Sequence, residues 1–191
     1  MSSLDKLREQ NLAAYLDALA AKTSTPGGGA VAAVVAAEAC SLVAMVANFS
    51  KDETAKDIAA RAHASIANLL ELADQDALAF ESVMKAFKGE GDRSSACEQA
   101  AGIPAQVIGI CLTHVEDLEY LSAQGNPNLI TDTAIASLLF DSALKSSELN
   151  ILINMKDFDA IPEVLESAIN SVPGATNRLQ FIASTIRTGL S

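Results

Sequence analysis

The run Ala30–Phe49, dominated by alanine and valine with almost no polar side chain, limits this chain more than any other feature. A helix of that composition has no solvent face and has to be buried. Ala33, Ala36, Ala37, Ala44 and Ala47 are small enough to let other backbones approach, which suits the centre of a helical assembly or a subunit contact. A bilayer span is the competing reading. Alanine is only weakly hydrophobic, however, and Glu38 in mid-run would cost roughly 2.5–3.5 kcal/mol there, so no membrane is expected. Glu38 shares a stripe with Val31, Val34, Leu42 and Met45, and is read as a buried acid in a salt bridge or subunit contact.

The run is preceded by Thr23-Ser24-Thr25-Pro26-Gly27-Gly28-Gly29. Glycines without a Cβ let the backbone come close to another chain or a ligand. The helix behind them offers unpaired N–H groups and the positive end of its dipole, a place for a carboxylate or phosphate.

Half of the 191 residues are hydrophobic, enough for one domain with a sizeable core. The net charge of −11, with no basic run, argues against nucleic acid as a partner. Cys40, Cys97 and Cys111 have no Cys-x-x-Cys spacing and read as buried free thiols in a reducing compartment. The first ten residues are charged and lack an apolar core, so no secretory signal is expected and the cytoplasm is the expected location.

Helical spacing recurs along the chain. Leu4, Leu7, Leu12, Tyr15, Leu16 and Leu19 predict an amphipathic helix over Ser3–Lys22. A long helix is expected from about Thr54 to Phe87, stopped by Lys88-Gly89-Glu90-Gly91. Another runs from Ser94 or Ser95 to Gln124, bent or interrupted at Pro104. Gly125-Asn126-Pro127-Asn128 forms a turn, with Thr131 or Asp132 as the N-cap of a helix reaching Met155. Asp159 to Glu163 reads as a cap and first-turn proline for a last helix to Arg187, broken at Pro173-Gly174. With no convincing strand, the fold class is all-α: an antiparallel bundle of about five to six long helices in a single domain. His114, on an apolar stripe, reads as a satisfied core histidine, and His63 with it makes no metal motif.

Several stretches occur in a telling order. They are Pro26-Gly27-Gly28-Gly29-Ala30-Val31-Ala32-Ala33; Asp76-x-x-Ala79-Phe80-x-x-Val83-Met84-x-Ala86-Phe87; Gly125-Asn126-x-Asn128-x-x-x-Asp132; and Asn150-x-x-x-Asn154-x-Lys156. Together they span nearly the whole chain and resemble the formiminotetrahydrofolate cyclodeaminase and methenyltetrahydrofolate cyclohydrolase family. Many relatives carry Leu-Pro-Lys where this chain has Phe87-Lys88-Gly89-Glu90, which leaves Lys88 or Lys85 in that lysine's place. The resemblance implies an all-α homodimer, a tetrahydrofolate derivative as substrate, and no permanently bound cofactor or metal. It implies one of two activities. Either formiminotetrahydrofolate is cyclised to methenyltetrahydrofolate with release of ammonia, or methenyltetrahydrofolate is hydrolysed to formyltetrahydrofolate. A non-catalytic helical scaffold that keeps the family shape is the alternative.

Both reactions pass through a cationic, amidinium-like carbon, which calls for a carboxylate to balance charge and move protons, and for amides to fix the pterin. Asp132 and Asp76 are the catalytic candidates. Asp132 is open to a second reading as a helix cap, and Asp76 to one as a surface acid beside a core ring. The binding candidates are Gly27, Gly28 and Gly29, then Phe80 one turn beyond Asp76, Asn126 and Asn128 in the turn, and Asn150 and Asn154 inside an apolar helix. Lys156 is placed to meet the glutamate tail. The glycine turn and the asparagine turn are expected to meet around one flat heterocycle.

Overall fold

A computed structural model describes residues 10–190 of the chain, and among these there are helices and connections but no strand. The leucines at 4 and 7 lie outside the described residues. The first described helix, α1 (Leu12–Ala20), is capped by Asn11, whose side chain accepts the Ala14 N–H at 2.9 Å. Of its apolar residues only Tyr15 is buried; Leu12 is 67% and Leu16 50% exposed, so the stripe predicted here is not covered within this chain.

Helix α2 (Gly28–Asn48) is the Ala/Val run. Helix α3 (Glu53–Phe87) starts on Asp52, which accepts the Ala55 N–H at 2.9 Å. It ends in a Schellman turn: Gly89 takes φ of 87°, its N–H reaches Ala86 O at 3.0 Å, and the Glu90 N–H reaches Lys85 O at 3.0 Å. Helix α4 (Arg93–Thr113) is capped by Asp92 through the Ser94 N–H, and α5 (Val115–Gln124) follows after a break at His114. A short 3₁₀ turn at Pro127–Leu129 leads into α6 (Ile130–Met155), and α7 (Glu163–Gly189) closes the described chain.

Neighbouring helices lie in the order α3, α2, α6, α7, with α4 packed across α3, α6 and α7. Helix α2 is long and apolar enough to cross a bilayer, yet most of it is buried between α3 and α6. Ala30, Ala33, Ala36, Cys40, Val43 and Ala47 are at most 1% exposed and face the larger Ile58, Leu69, Ile108, Phe140 and Leu144. Each of those larger side chains contributes about 1.5–3 kcal/mol by leaving water. Cys40, Cys97 and Cys111 are free and buried, and burial pushes the Cys40 thiol up to about 12.

The structure differs from the sequence expectations in four places. Glu38 is exposed, since it points away from α3 and α6. Helix α4 runs through Pro104 without a break and α7 through Pro173-Gly174. A mid-helix proline forfeits one hydrogen bond and crowds the preceding turn, but Ile103, Val107 and Ile108, and Val172, Ala175 and Thr176, are buried on either side and hold those helices in register. The break falls instead at His114, whose ring turns into the core and stacks on Phe140 at 5.7 Å. Finally, α6 is preceded by Leu129 rather than capped by Thr131 or Asp132, and α7 by Pro162 with no side-chain cap.

Close approach along α2 makes its alanines intolerant of bulk. Ala36→Leu is expected to destabilise the protein by about 1–3 kcal/mol through overpacking, seen as a lower denaturant midpoint, whereas Ser41→Leu on the exposed side of the same helix is expected to leave the midpoint within about 0.5 kcal/mol of the parent.

Candidate active site

The N-terminus of α2 is closed from outside itself. Gly27, the residue before the helix, has no side chain to cap it. Asp76 of α3 does so instead, its Oδ2 accepting the Ala30 N–H at 3.1 Å. The carboxylate comes so near that a Cβ on Gly29 would collide with Asp76 Oδ1, so any side chain there has to displace the carboxylate. A Cβ on Gly28 would lie 3.8 Å from Asn150 Oδ1 of α6. Three helices therefore converge here, α2 through its glycines, α3 through Asp76 and α6 through Asn150.

Burial pushes the Asp76 carboxyl above the ordinary carboxylate range, and the Ala30 hydrogen bond only partly offsets this. The group is thus poised to hold and release a proton. Asn150 Nδ2 donates to Ser146 O at 2.9 Å and Asn154 Nδ2 to Asn150 O at 2.8 Å. These bonds fix both amides one turn apart, as their spacing predicted.

One turn beyond Asp76, Phe80 edges a pocket of about 360 Å³ that also involves Met84, Phe87, Phe158, Asn154 and Lys156. Arg93 stands at its rim, 4.1 Å above the Phe87 ring and 2.5 Å from Asp157 Oδ2. Sequence reasoning missed Arg93, Phe87 and Phe158. Arg93 lies beyond the glycine-rich stop of α3, in a different helix from the ring it covers, and no spacing rule links the two. Lys85 and Lys88, the stand-ins for the Leu-Pro-Lys lysine, are not among the pocket's lining residues.

Asn126, Asn128 and Asp132 lie elsewhere. Asn126 Nδ2 donates to Phe49 O at 3.1 Å, and the Asn126 N–H to Ser50 Oγ at 3.1 Å, which fastens this turn to the far end of α2. Asn126 Oδ1 accepts the Asn128 N–H at 3.0 Å, as expected of a turn former. Asp132 sits half-buried in the first turn of α6. Gly28 and Asn48 bound a helix that is roughly 30 Å long at 1.5 Å per residue. Within one chain, then, the glycine turn and the asparagine turn do not meet around one ligand. Both are tied to α2, at opposite ends of it.

The outward side of α6 carries Ile135, Leu138, Leu149 and Leu152, between 40% and 67% exposed, and the adjoining side of α2 carries Val31, Val34, Leu42 and Met45, half-buried. Along the same stripes Glu38 of α2 and Ser142 and Lys145 of α6 are exposed, so the strip is apolar toward its ends and polar in its middle.

A family model described as formiminotransferase-cyclodeaminase matches residues 11–166. The chain is 28% identical over 187 residues to the formimidoyltransferase-cyclodeaminase of Rattus norvegicus, covering 87% of this chain and 35% of that protein. It thus spans about a third of that relative's length. It is 27% identical over 169 residues to the methenyltetrahydrofolate cyclohydrolase of Methylorubrum extorquens, covering 78% of this chain and 81% of that one. The solved structure of formiminotetrahydrofolate cyclodeaminase from Thermotoga maritima superposes with a TM-score of 0.85 at 33% identity, over 94% of this chain and 98% of the other.

Two outcomes follow for Asp76. Because its folded pKa is raised, the stability it supplies is full below the ordinary carboxyl pKa and is lost as pH rises through the folded value. Asp76→Asn, which keeps the oxygen that accepts the Ala30 N–H, is therefore expected to melt higher than the parent at pH 7, with the gap closing as pH falls through the carboxyl range in a thermal series. Gly29→Ala is expected to cost at least ~1–3 kcal/mol in chemical denaturation, since the new methyl and the carboxylate cannot share the space.

Proposed function

Because the chain belongs to the formiminotransferase-cyclodeaminase family, we propose that it acts on a one-carbon adduct of tetrahydrofolate at the Asp76 end of α2. The reaction is ring closure of formiminotetrahydrofolate with loss of ammonia, or hydrolytic opening of methenyltetrahydrofolate to the formyl compound. The observation that carries this reading is a single carboxyl, Asp76, whose pKa burial has raised and which is held at a helix N-terminus beside an aromatic pocket.

In ring closure, a folate nitrogen adds to the formimino carbon, and the tetrahedral adduct collapses as the amino group leaves with a proton. Asp76 supplies that proton and, as carboxylate, balances the cationic carbon that results. In hydrolysis, Asp76 takes one proton from the water that adds to the bridge carbon and gives it to the nitrogen released, while the proton of the adduct's remaining hydroxyl passes to solvent as the formyl carbonyl forms. The Oδ1 atoms of Asn150 and Asn154 accept from the pterin while the glycines let its edge approach. Phe80, Phe87 and Phe158 take the benzoyl ring, and Lys156 and Arg93 meet the glutamate carboxylates.

The working unit in this reading is a homodimer. A two-fold axis through the middle of the α2–α6 strip buries Ile135, Leu138, Leu149 and Leu152 against their copies. It also lays the asparagine-turn end of one protomer over the glycine end of the other. The partner's Asn126, Asn128 and Asp132 then complete each site, so that residues roughly 30 Å apart in one chain serve one substrate.

Near-ultraviolet absorbance tests the activity: decay of methenyltetrahydrofolate marks hydrolysis, and its growth from the formimino compound marks ring closure. No change with either, in folded protein, overturns the enzymatic reading in favour of a scaffold. Asp76→Asn and Asp132→Asn are each expected to lower turnover at least ~100-fold. Co-refolding the two variants is expected to restore about a quarter of wild-type activity, because half of the dimers then carry one intact shared site. Absence of recovery, with dimers formed, places both acids outside a shared site.

A further inference from the structure

A second constellation lies on the α4 side of α3, about 16 Å along that helix from Asp76. Ser65 Oγ is 2.9 Å from His114 Nε2, and His114 Nδ1 is 2.8 Å from Asp117 Oδ2. Arg61 grips the same carboxylate, Nη2 to Oδ1 at 2.5 Å and Nε to Oδ2 at 3.3 Å. His114 is fully buried, Asp117 is 4% exposed and Ser65 9%. Ser65 lines a groove of about 740 Å³ between α3 and α4, shared with Asn68, Gln75, Gln106 and Thr113. That volume is within the range of small-molecule sites.

The order of these groups has a chemical consequence. Burial alone would raise the Asp117 carboxyl, but hydrogen bonds from His114 and Arg61 outweigh it and hold the group below the usual range. With the Asp117 carboxylate accepting from Nδ1–H, the arrangement a nucleophilic serine calls for, the Nε2 lone pair faces Ser65. Stacking on Phe140 fixes the ring in that orientation. The serine hydroxyl has a second acceptor, Arg61 O at 3.1 Å, so its proton can sit on either side while the oxygen stays on the groove wall.

We propose that Ser65 is the nucleophile of a second site, in the α3–α4 groove, that accepts acyl groups from small neutral carboxylic esters. Ser65 Oγ bonds to the ester carbonyl carbon while His114 Nε2 takes the hydroxyl proton. The bond to the alcohol oxygen then breaks, and the alcohol leaves with that proton. Water enters, gives a proton to His114 and cleaves the acyl–Ser65 bond, and the proton returns to Oγ, so ester and water become acid and alcohol. The side-chain amides of Asn68 and Gln106 are the neutral donors on the groove wall for the carbonyl oxygen, because mid-helix backbone N–H groups are already spent. Neutral esters are favoured, since Arg61 is already paired with Asp117.

The test uses the full chain with a fluorophosphonate probe and p-nitrophenyl acetate. The expected result is a single adduct by intact mass, mapped by peptide sequencing to Ser65, together with p-nitrophenol release at least ~100-fold above that of Ser65→Ala. Asp117→Asn, which keeps the shape of the carboxylate, is expected to lose most of the labelling while circular dichroism stays that of the parent. Ser65→Ala is expected to leave the folate reaction unchanged, which separates this site from the one at Asp76. A folded wild-type protein whose Ser65 stays unmodified, or whose ester hydrolysis equals that of Ser65→Ala, overturns the proposal and leaves the network a structural one.

Discussion

The contact between Asp76 and the start of α2 is the constraint on which the rest of the molecule turns. A helix whose first residues are glycine and alanine cannot satisfy its own leading N–H groups, and the acid that does so arrives from a different helix. Its approach is close enough that any side chain at Gly29 has to displace it. Helices α2 and α3 are thereby locked at one axial offset, and the offset sets which small residue of α2 meets which large residue of α3. The same contact leaves a carboxyl half-buried with a raised pKa, a cost in folding free energy at neutral pH that a purely structural cap would not carry.

A second constraint is length. Because α2 is an unbroken helix of 21 residues, whatever is fastened to its two ends cannot converge inside the same chain. Ser50 and the Phe49 carbonyl hold the asparagine turn at one end, and Asp76 and Asn150 surround the glycines at the other. The outward strip of α2 and α6 between those ends exposes Ile135, Leu138, Leu149 and Leu152, with the polar Ser142 and Lys145 between the two pairs. The two-fold pairing proposed above would cover this strip and bring the two ends together.

Much of this was legible in the sequence where the signal is local. The all-helical class, the glycine stop after α3, the turn-forming Asn126 and the buried cysteines each follow from composition or from neighbours within one turn. Neither Pro104 nor Pro173 interrupts its helix, because the local penalty of about 3 kcal/mol is overridden by tertiary packing on both flanks. The burial expected of Glu38 fails for a related reason, while its reading as a subunit contact is untouched: an apolar stripe shows periodicity, but not which side of a nearly uniform helix faces the core. The Arg93–Phe87 pair is close in sequence yet spans a helix stop, and Ser65 lies 49 residues from His114, so neither grouping leaves a spacing to detect.

Where the molecule tolerates buried polarity follows from these packing rules. Helix α2 holds none, since its buried residues are alanine, valine and cysteine in one core with larger apolar side chains. Helix α3, longer and with a mixed face, carries Asp76 toward α2 and Ser65 toward α4 and α5. The Asp76 carboxylate is met by a backbone N–H of α2, and the Ser65 hydroxyl by His114 and by the Arg61 carbonyl of its own helix. Each such group costs several kcal/mol when isolated and little once paired, so the partners must be held rigidly, and rigid partners are what proton transfer requires. Among the described residues the buried polar side chains are spread over α3, the His114 break, α5, α6 and α7, and none lies on α2.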